Sequence, residues 1–366
     1  MDGQRDVLII GGGVIGLTTA YFLARDGMQV SVVDTGNLGR EASWAGAGII
    51  SPGNSDRATG AMNLLRAHSC RLFPILSEEL RQSTGQENGY RACGGVELAS
   101  GIDDATVAEW DAEGIEYRNL PARELKRLES AFAHVHEDGY FLPTMAQVRN
   151  PWHLRALIAA CQNLGVELLP NTPIRQLECR HLRRIEGARS NSATLRADRF
   201  LVAAGPWTDS LLKPLGWRPG VFPVRGQMVL FRAELPLFTP ILLQGKRYLV
   251  PRTDGRILAG STEEDVGYVK STTEEGVGML TDMARTLVPA LREVPIETTW
   301  SGLRPATHDG LPYLGRVPGM DNLFVASGHF RAGIQNSPAT GLIMSQLLQS
   351  RETLIPLDEF ALDGGR

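Results

Sequence analysis

The sequence predicts an α/β protein in which a Rossmann-like, nucleotide-binding domain is interleaved with a second, α+β domain built on a mainly antiparallel sheet. Three features predict it. A strand, glycine turn, helix and strand open the chain. Alternating apolar and polar stretches with an Asp-Gly turn occupy the region after 215, and apolar strand and helix patterns return beyond it. At 366 residues the chain also exceeds the size at which one core usually stops growing. The expected division is 1–90, 149–214 and 300–366 for the nucleotide-binding domain, and 91–148 and 215–299 for the substrate domain.

In "DVLIIGGGVIGLTTAYFLARDGMQVSVVD", residues 7–10 suit a buried parallel strand, 14–25 carry apolar residues at helical spacing, and 29–33 form a second strand. Gly11, Gly13 and Gly16 set G-x-G-x-x-G at the strand-to-helix turn, where a tight turn, close approach to a pyrophosphate and helix–sheet packing each need a residue without a side chain. Val14 and Ile15 then begin a helix whose free N–H groups and partial positive charge face the phosphates. Asp34 follows about 20 residues after the first glycine, where its carboxylate can accept both ribose hydroxyls. This unit binds a dinucleotide. The motif alone does not separate FAD from NAD.

Next comes "GREASWAGAGIISPG", with Arg40, Ser43 and the small residues Ala45, Gly46, Ala47 and Gly48. Such a run lets main chain lie flat against a large planar or charged group, and the hydroxyl and guanidinium can reach phosphate oxygens. A helix at 152–163, a strand at 166–169 and the strand "RFLVAAG" rejoin the first domain. Around them, "DDATVAEWDAEG" and "PARELKRLES" read as surface helices, and "YLVPRTDGRILAGST" as a hairpin with Asp254-Gly255 at its turn. The last helix, in "QNSPATGLIMSQLLQ", is expected to take Ser337 as N-cap and Pro338 at its first position, with Leu342, Met344 and Leu347 on its apolar face.

Composition excludes other classes. With 43% hydrophobic and 21% charged residues and a formal net charge of -4, the chain is an ordinary globular protein without the electrostatic footprint of a nucleic-acid or membrane-surface binder. The basic cluster at 180–184 reads as a solvated hairpin. Cys70, Cys93, Cys161 and Cys179 form no C-x-x-C pair, which argues against a zinc site or redox dithiol and makes reduced, cytoplasmic thiols the expectation. The N-terminal apolar run is too short to span a bilayer, so neither an export signal nor a membrane span is expected.

The segments "IIGGGVIGLTTAYFLARDG", "REASWAGAGI", "VAAGPWTDSLL", "YLVPRTDGRILAGST", "GLRPATHDGLPYLG" and "GHFRAGIQNSPATG", in this order, resemble the D-amino-acid oxidase superfamily of flavoproteins, and within it the glycine oxidase branch that includes thiamine-pathway enzymes. The resemblance runs nearly end to end. It implies an extended FAD, bound without a covalent link because no cysteine lies near "GLRPATHDG". It places Ala204 and Gly205 beside the adenosine half and His329, Arg331, Ala332, Gly333 and Ile334 around the ring, and it adds Ile174, Trp207 and Gly302 to the residues that bind the cofactor. It also points the N-terminus of the last helix at the pyrimidine end, where a partial positive charge raises the flavin's electron affinity.

Arg304 ends "ETTWSGLR", and Pro305 is expected to end the strand there, so that a planar fork meets a carboxylate in two parallel hydrogen bonds. The resemblance assigns Arg304 and Tyr248 to the substrate carboxylate and sets Arg331 beside flavin and substrate; His329 reads as structural. Hydride would then pass from the α-carbon to flavin N5 without a strong enzyme base, giving an imine that water converts to oxo acid and ammonia, with molecular oxygen restoring the flavin and forming hydrogen peroxide. Lys246, Arg247 and Glu263 depart from some relatives and leave open glycine, sarcosine, small D-amino acids and N-substituted glycines. Two rivals stay open at this stage: a dehydrogenase passing electrons to a quinone or protein, and a flavin-holding subunit of a tRNA-modifying assembly. Homo-oligomer formation is also left open.

Overall fold

The computed structural model describes residues 5–181 and 183–362. One sheet has six strands in the order Tyr313–Arg316, Leu323–Ser327, Ala197–Val202, Arg5–Ile10, Val30–Val33, Glu167–Leu169, all parallel except the first pair. Its central strands are buried on both faces, which is why they read as unbroken apolar runs. Val7, Ile9, Val30 and Val32 face the helices Val14–Arg25, Ala61–Thr84, Asn150–Asn163 and Gly333–Leu348, whereas Leu8, Ile10, Phe200 and Val202 pack under an antiparallel layer through Leu177, Ile185 and Ala188. The helix Ala61–Thr84 belongs to no element read from the sequence. Its signal was present: Leu65, Phe73, Leu76 and Leu80 line its buried side at helical spacing, despite Pro74 within it.

The second sheet has eight strands in the order Ile296–Ala306, Phe222–Arg232, Arg256–Gly260, Arg247–Pro251, Ile241–Gln244, Gly95–Leu98, Gly139–Leu142, Arg118–Leu120. Only the contact of Ile241–Gln244 with Gly95–Leu98 is parallel. Alternation along the strands sorts the side chains: Val229, Phe231, Leu249, Ile257 and Ala259 pack beneath the helix Glu274–Leu287, and Met228, Tyr248, Val250 and Leu258 lie on the opposite face. The expected hairpin closes at Gly255, which has φ 81°. The 180–184 cluster spans the end of strand Gln176–His181 and the start of strand Arg184–Arg189, with Leu182 between them outside the described residues.

Two local expectations are corrected. Pro305 does not end its strand: Ile296–Ala306 runs through it, with Pro305 opposite Pro223. The strand lies at the sheet edge, where a missing N–H interrupts no second ladder. Residues 300–306 thus continue the antiparallel sheet. Nor does Ser337 cap the last helix, which begins at Gly333 and passes through Pro338. Pro338 cannot donate to the Ile334 carbonyl, and the Ser337 hydroxyl donates to that oxygen instead, at 2.8 Å. Among the described residues no helix is long and apolar enough to cross a membrane.

Candidate active site

A cavity of about 760 Å³ runs from the glycine turn of the parallel sheet to the Met228 and Tyr248 face of the antiparallel one. At its first end Gly11 has φ 117°, and a Cβ there would lie closer than 3.0 Å to the Ala203 carbonyl carbon. Gly16 lies outside the wall and lets helix meet strand, since a Cβ on it would strike the Gly11 carbonyl. Gly13 differs: a Cβ on it would meet only the Ser43 Oγ, at 3.2 Å, so this position opens on the cavity. Val14 N–H donates to that Oγ at 2.9 Å, and both Val14 and Ile15 line the space.

Asp34 accepts from the Gly12 N–H at 2.8 Å and the Gly36 N–H at 2.9 Å. Burial raises its pKa, partly offset by these two donors. Its carboxylate keeps acceptor capacity toward the cavity, which Ile174, Ala204, Gly205 and Trp207 also line. Glycines that admit a backbone-hugging group, helix N–H groups at its middle and an acid beyond it fit an extended dinucleotide.

The small-residue loop 45–48 forms the next wall. Its carbonyls are held from behind: Trp300 Nε1 donates to Ala45 O at 3.0 Å, and Arg252 donates to Ala47 O at 2.7 Å. Arg252 also donates to Gln147 Oε1 at 2.6 Å and Val148 O at 3.1 Å. Asn150 Nδ2 holds the Ser43 carbonyl at 2.8 Å. Arg252 and Asn150 were not singled out by the sequence reading, because the groups that they hold lie far from them along the chain. Arg40 is placed elsewhere than expected: it is exposed, outside the cavity, with its guanidinium 5.7 Å from the Trp44 ring centroid. Ser43 faces the helix N-terminus, while Arg40 keeps its charge in water.

At the other end the structure brings Arg304, Tyr248 and Gly302 together. The Arg304 guanidinium donates to Ser261 Oγ at 2.6 Å and Thr262 O at 3.1 Å, beside the Tyr248 hydroxyl. Among the described residues no carboxylate lies within ion-pair distance of it, and burial lowers its pKa. The Tyr248 hydroxyl otherwise points at Met228 Sδ, 3.5 Å away. Arg331 lines the cavity too, but its guanidinium is paired with Glu263, which also takes Lys246 Nζ at 2.9 Å. Burial raises the Glu263 pKa, and the two cations outweigh it and hold the carboxyl below its usual value. Ala332, Gly333 and Ile334 bring the N-terminus of the last helix to the same wall. His329 is buried, shares a 3.0 Å hydrogen bond with Thr340 Oγ1, and is pushed down to about 3 by burial, so it is neutral at physiological pH.

Glu97 is a half-buried carboxyl that the sequence reading passed over. Its strand neighbours are Leu243, on the cavity wall, and Tyr140, and burial pushes it up to about 7. The folded value exceeds the unfolded one, about 4.3, so the folded protein prefers the protonated form and loses stability as pH rises between the two. Glu97→Gln is therefore expected to stabilise the protein by up to about 3 kcal/mol at about pH 8 and by little at about pH 4.5. Melting curves at both pH values test this; equal shifts would show that the carboxyl titrates normally.

Comparison with known proteins agrees with this geometry. The family model described as FAD dependent oxidoreductase (DAO) matches residues 6–347. The chain is 36% identical to a glycine oxidase of Pseudomonas aeruginosa, with 98% of each chain covered. It is 35% identical to a glycine oxidase of Pseudomonas putida, with 99% of each covered. The crystal structure of glycine oxidase from Geobacillus kaustophilus superposes with a TM-score of 0.91 at 31% identity, covering 99% of both chains.

Proposed function

Because the chain belongs to the DAO family of FAD dependent oxidoreductases, we propose that it is an FAD-dependent oxidase of glycine and other small amino acids, which it converts to an oxo acid and ammonia. The observation that carries the proposal is Arg304: a permanent cation on the cavity wall, deprived of any carboxylate partner among the described residues. A half-buried charge of this kind is stabilised by an anion that arrives with a ligand. A small amino acid supplies one.

FAD fits the cradle described above, with Gly11, Gly13 and the first turn of helix Val14–Arg25 at the pyrophosphate, Asp34 at the ribose, and 45–48 with 332–334 at the ring. When bound, it supplies an acceptor for two electrons and a proton, which molecular oxygen then removes as hydrogen peroxide. It is held without a covalent link. The protein's own contribution is positioning. Arg304 and the Tyr248 hydroxyl grip the carboxylate, while Met228, Leu243 and Tyr248 bound the space left for the substrate's remaining atoms. Among the described residues at this end of the cavity, no side chain is poised to take a proton: burial keeps the His329 imidazole from accepting one at neutral pH, and Glu263 is shared by two cations. The amine must therefore enter neutral, having lost its proton to water, so that its lone pair can form the imine as hydride leaves the α-carbon.

Glycine, sarcosine and D-alanine are each expected to bleach the purified yellow protein without air. In air, glycine, oxygen and water should yield glyoxylate, ammonia and peroxide in equal amounts. Bleaching with turnover on an artificial quinone but no peroxide would instead make the protein a dehydrogenase. Absence of bleaching by all three amines would remove the proposed activity.

A further inference from the structure

Gly226 lies on the long strand Phe222–Arg232, on the face that lines the cavity, directly opposite Gly302 and diagonal to Arg304. Diagonal neighbours on one face of an antiparallel pair come within reach of each other's long side chains. Here the Arg304 side chain folds across the position that a side chain of residue 226 would occupy. A Cβ built on Gly226 would lie closer than 3.0 Å to three atoms at once, and all three belong to the Arg304 guanidinium: Cζ, Nη1 and Nη2. No backbone atom is among its nearest neighbours.

This distinguishes Gly226 from the other constrained glycines of the site. A Cβ on Gly302 would meet Ala45 Cβ, and one on Gly11 or Gly16 would meet main chain, so substitution at those positions disturbs the fold or the loop 45–48. Gly226 needs no unusual dihedral, because it is not among the glycines with positive φ and sits in a regular ladder. Its missing side chain therefore answers to one neighbour, the mobile end of one arginine. The same guanidinium is held by Ser261 Oγ and Thr262 O, which accept hydrogen bonds from Nη2 and Nη1. The head group is thus seated against a bare patch of strand and tied to two acceptors, which together fix the plane of its fork.

We infer that Gly226 is a positioning residue for substrate: its bare backbone seats the Arg304 guanidinium against Ser261 and Thr262 in the orientation that grips a carboxylate. This inference rests on the substrate-binding role proposed above for Arg304. A methyl group at 226 displaces the guanidinium and leaves the cradle of the cofactor as it was.

The test is a double-mutant cycle on the FAD-loaded enzyme, with glycine as substrate and acetate as a carboxylate probe read through the flavin absorbance spectrum. Gly226→Ala is expected to retain FAD and its melting temperature, to weaken acetate binding and raise KM for glycine by about 10- to 100-fold, and to change kcat much less. In an Arg304→Ala background the same substitution should have no further effect on acetate binding, because the group it displaces is gone. An equal loss in both backgrounds would overturn the inference, as would a colourless or aggregated Gly226→Ala protein, since either shows the strand rather than the arginine absorbing the methyl group. An unchanged KM in Gly226→Ala beside a raised one in Arg304→Ala would sink the role of Gly226 and leave that of Arg304. If neither substitution moved KM, the Arg304 reading itself would fall.

Discussion

Arg304→Ala is expected to raise KM for glycine by roughly 30- to 1000-fold while the protein stays yellow and melts at nearly the same temperature. The size follows from losing two charge-assisted hydrogen bonds in a water-poor pocket, about 2–4 kcal/mol in total. The unchanged stability follows from what Arg304 touches. It donates to one hydroxyl and one main-chain carbonyl and pairs with no acid among the described residues, so its removal strands no buried countercharge. Had it been one arm of a structural ion pair, truncation would instead cost about 3–5 kcal/mol of stability. Steady-state kinetics together with a melting curve decide the matter. A normal KM, or a normal KM with a large fall in stability, would remove Arg304 from the substrate site.

Gly13→Leu is expected to give a folded but colourless protein. Three glycines stand in the same motif, and the structure separates their tasks. A side chain on Gly11 or Gly16 runs into main chain at the core of the sheet, whereas one on Gly13 meets only the Ser43 hydroxyl and projects into the cavity. An isobutyl group there takes the volume where main chain must approach a pyrophosphate. The loss in FAD affinity should reach about 100-fold or more, the upper range of an overpacking penalty that the ligand relieves by leaving. Far-ultraviolet circular dichroism should match the parent, while the yellow absorbance of bound oxidised flavin should be missing. A yellow product with normal affinity would mean that the pyrophosphate lies elsewhere.

These two substitutions also mark how far the sequence reading reached. Gly13, Asp34, the small residues 45–48, Tyr248 and Arg304 were all named from sequence, and the structure brings them onto one cavity wall. Tyr248 was visible only through the family resemblance; the others belong to local patterns: a glycine spacing at a turn, an acid after a strand, a run of small residues, a cation before a proline. The residues that hold them were not visible. Arg252 and Asn150 support the loop through carbonyls of Ala47 and Ser43, which lie 205 and 107 positions away. Gly226 is meaningful only beside Arg304, across a strand pairing. Arg40 shows the converse failure. It had the right chemistry for phosphate and the right neighbours in sequence, yet the chain carries it to the outside, over Trp44.

The sequence by itself determined the dinucleotide turn, the alternation of parallel and antiparallel units and the place of Arg304 at the end of an apolar run, because those properties depend on dihedral preference, hydrophobic period and charge within a few neighbouring residues. Only the tertiary structure decided that Arg304 forms no ion pair among the described residues, that Arg331 and Lys246 converge on Glu263, and that an absent side chain at 226 makes room for a guanidinium. Each of these depends on distances between segments far apart in the chain, which are set when two sheets close around a shared cavity and which no local pattern encodes.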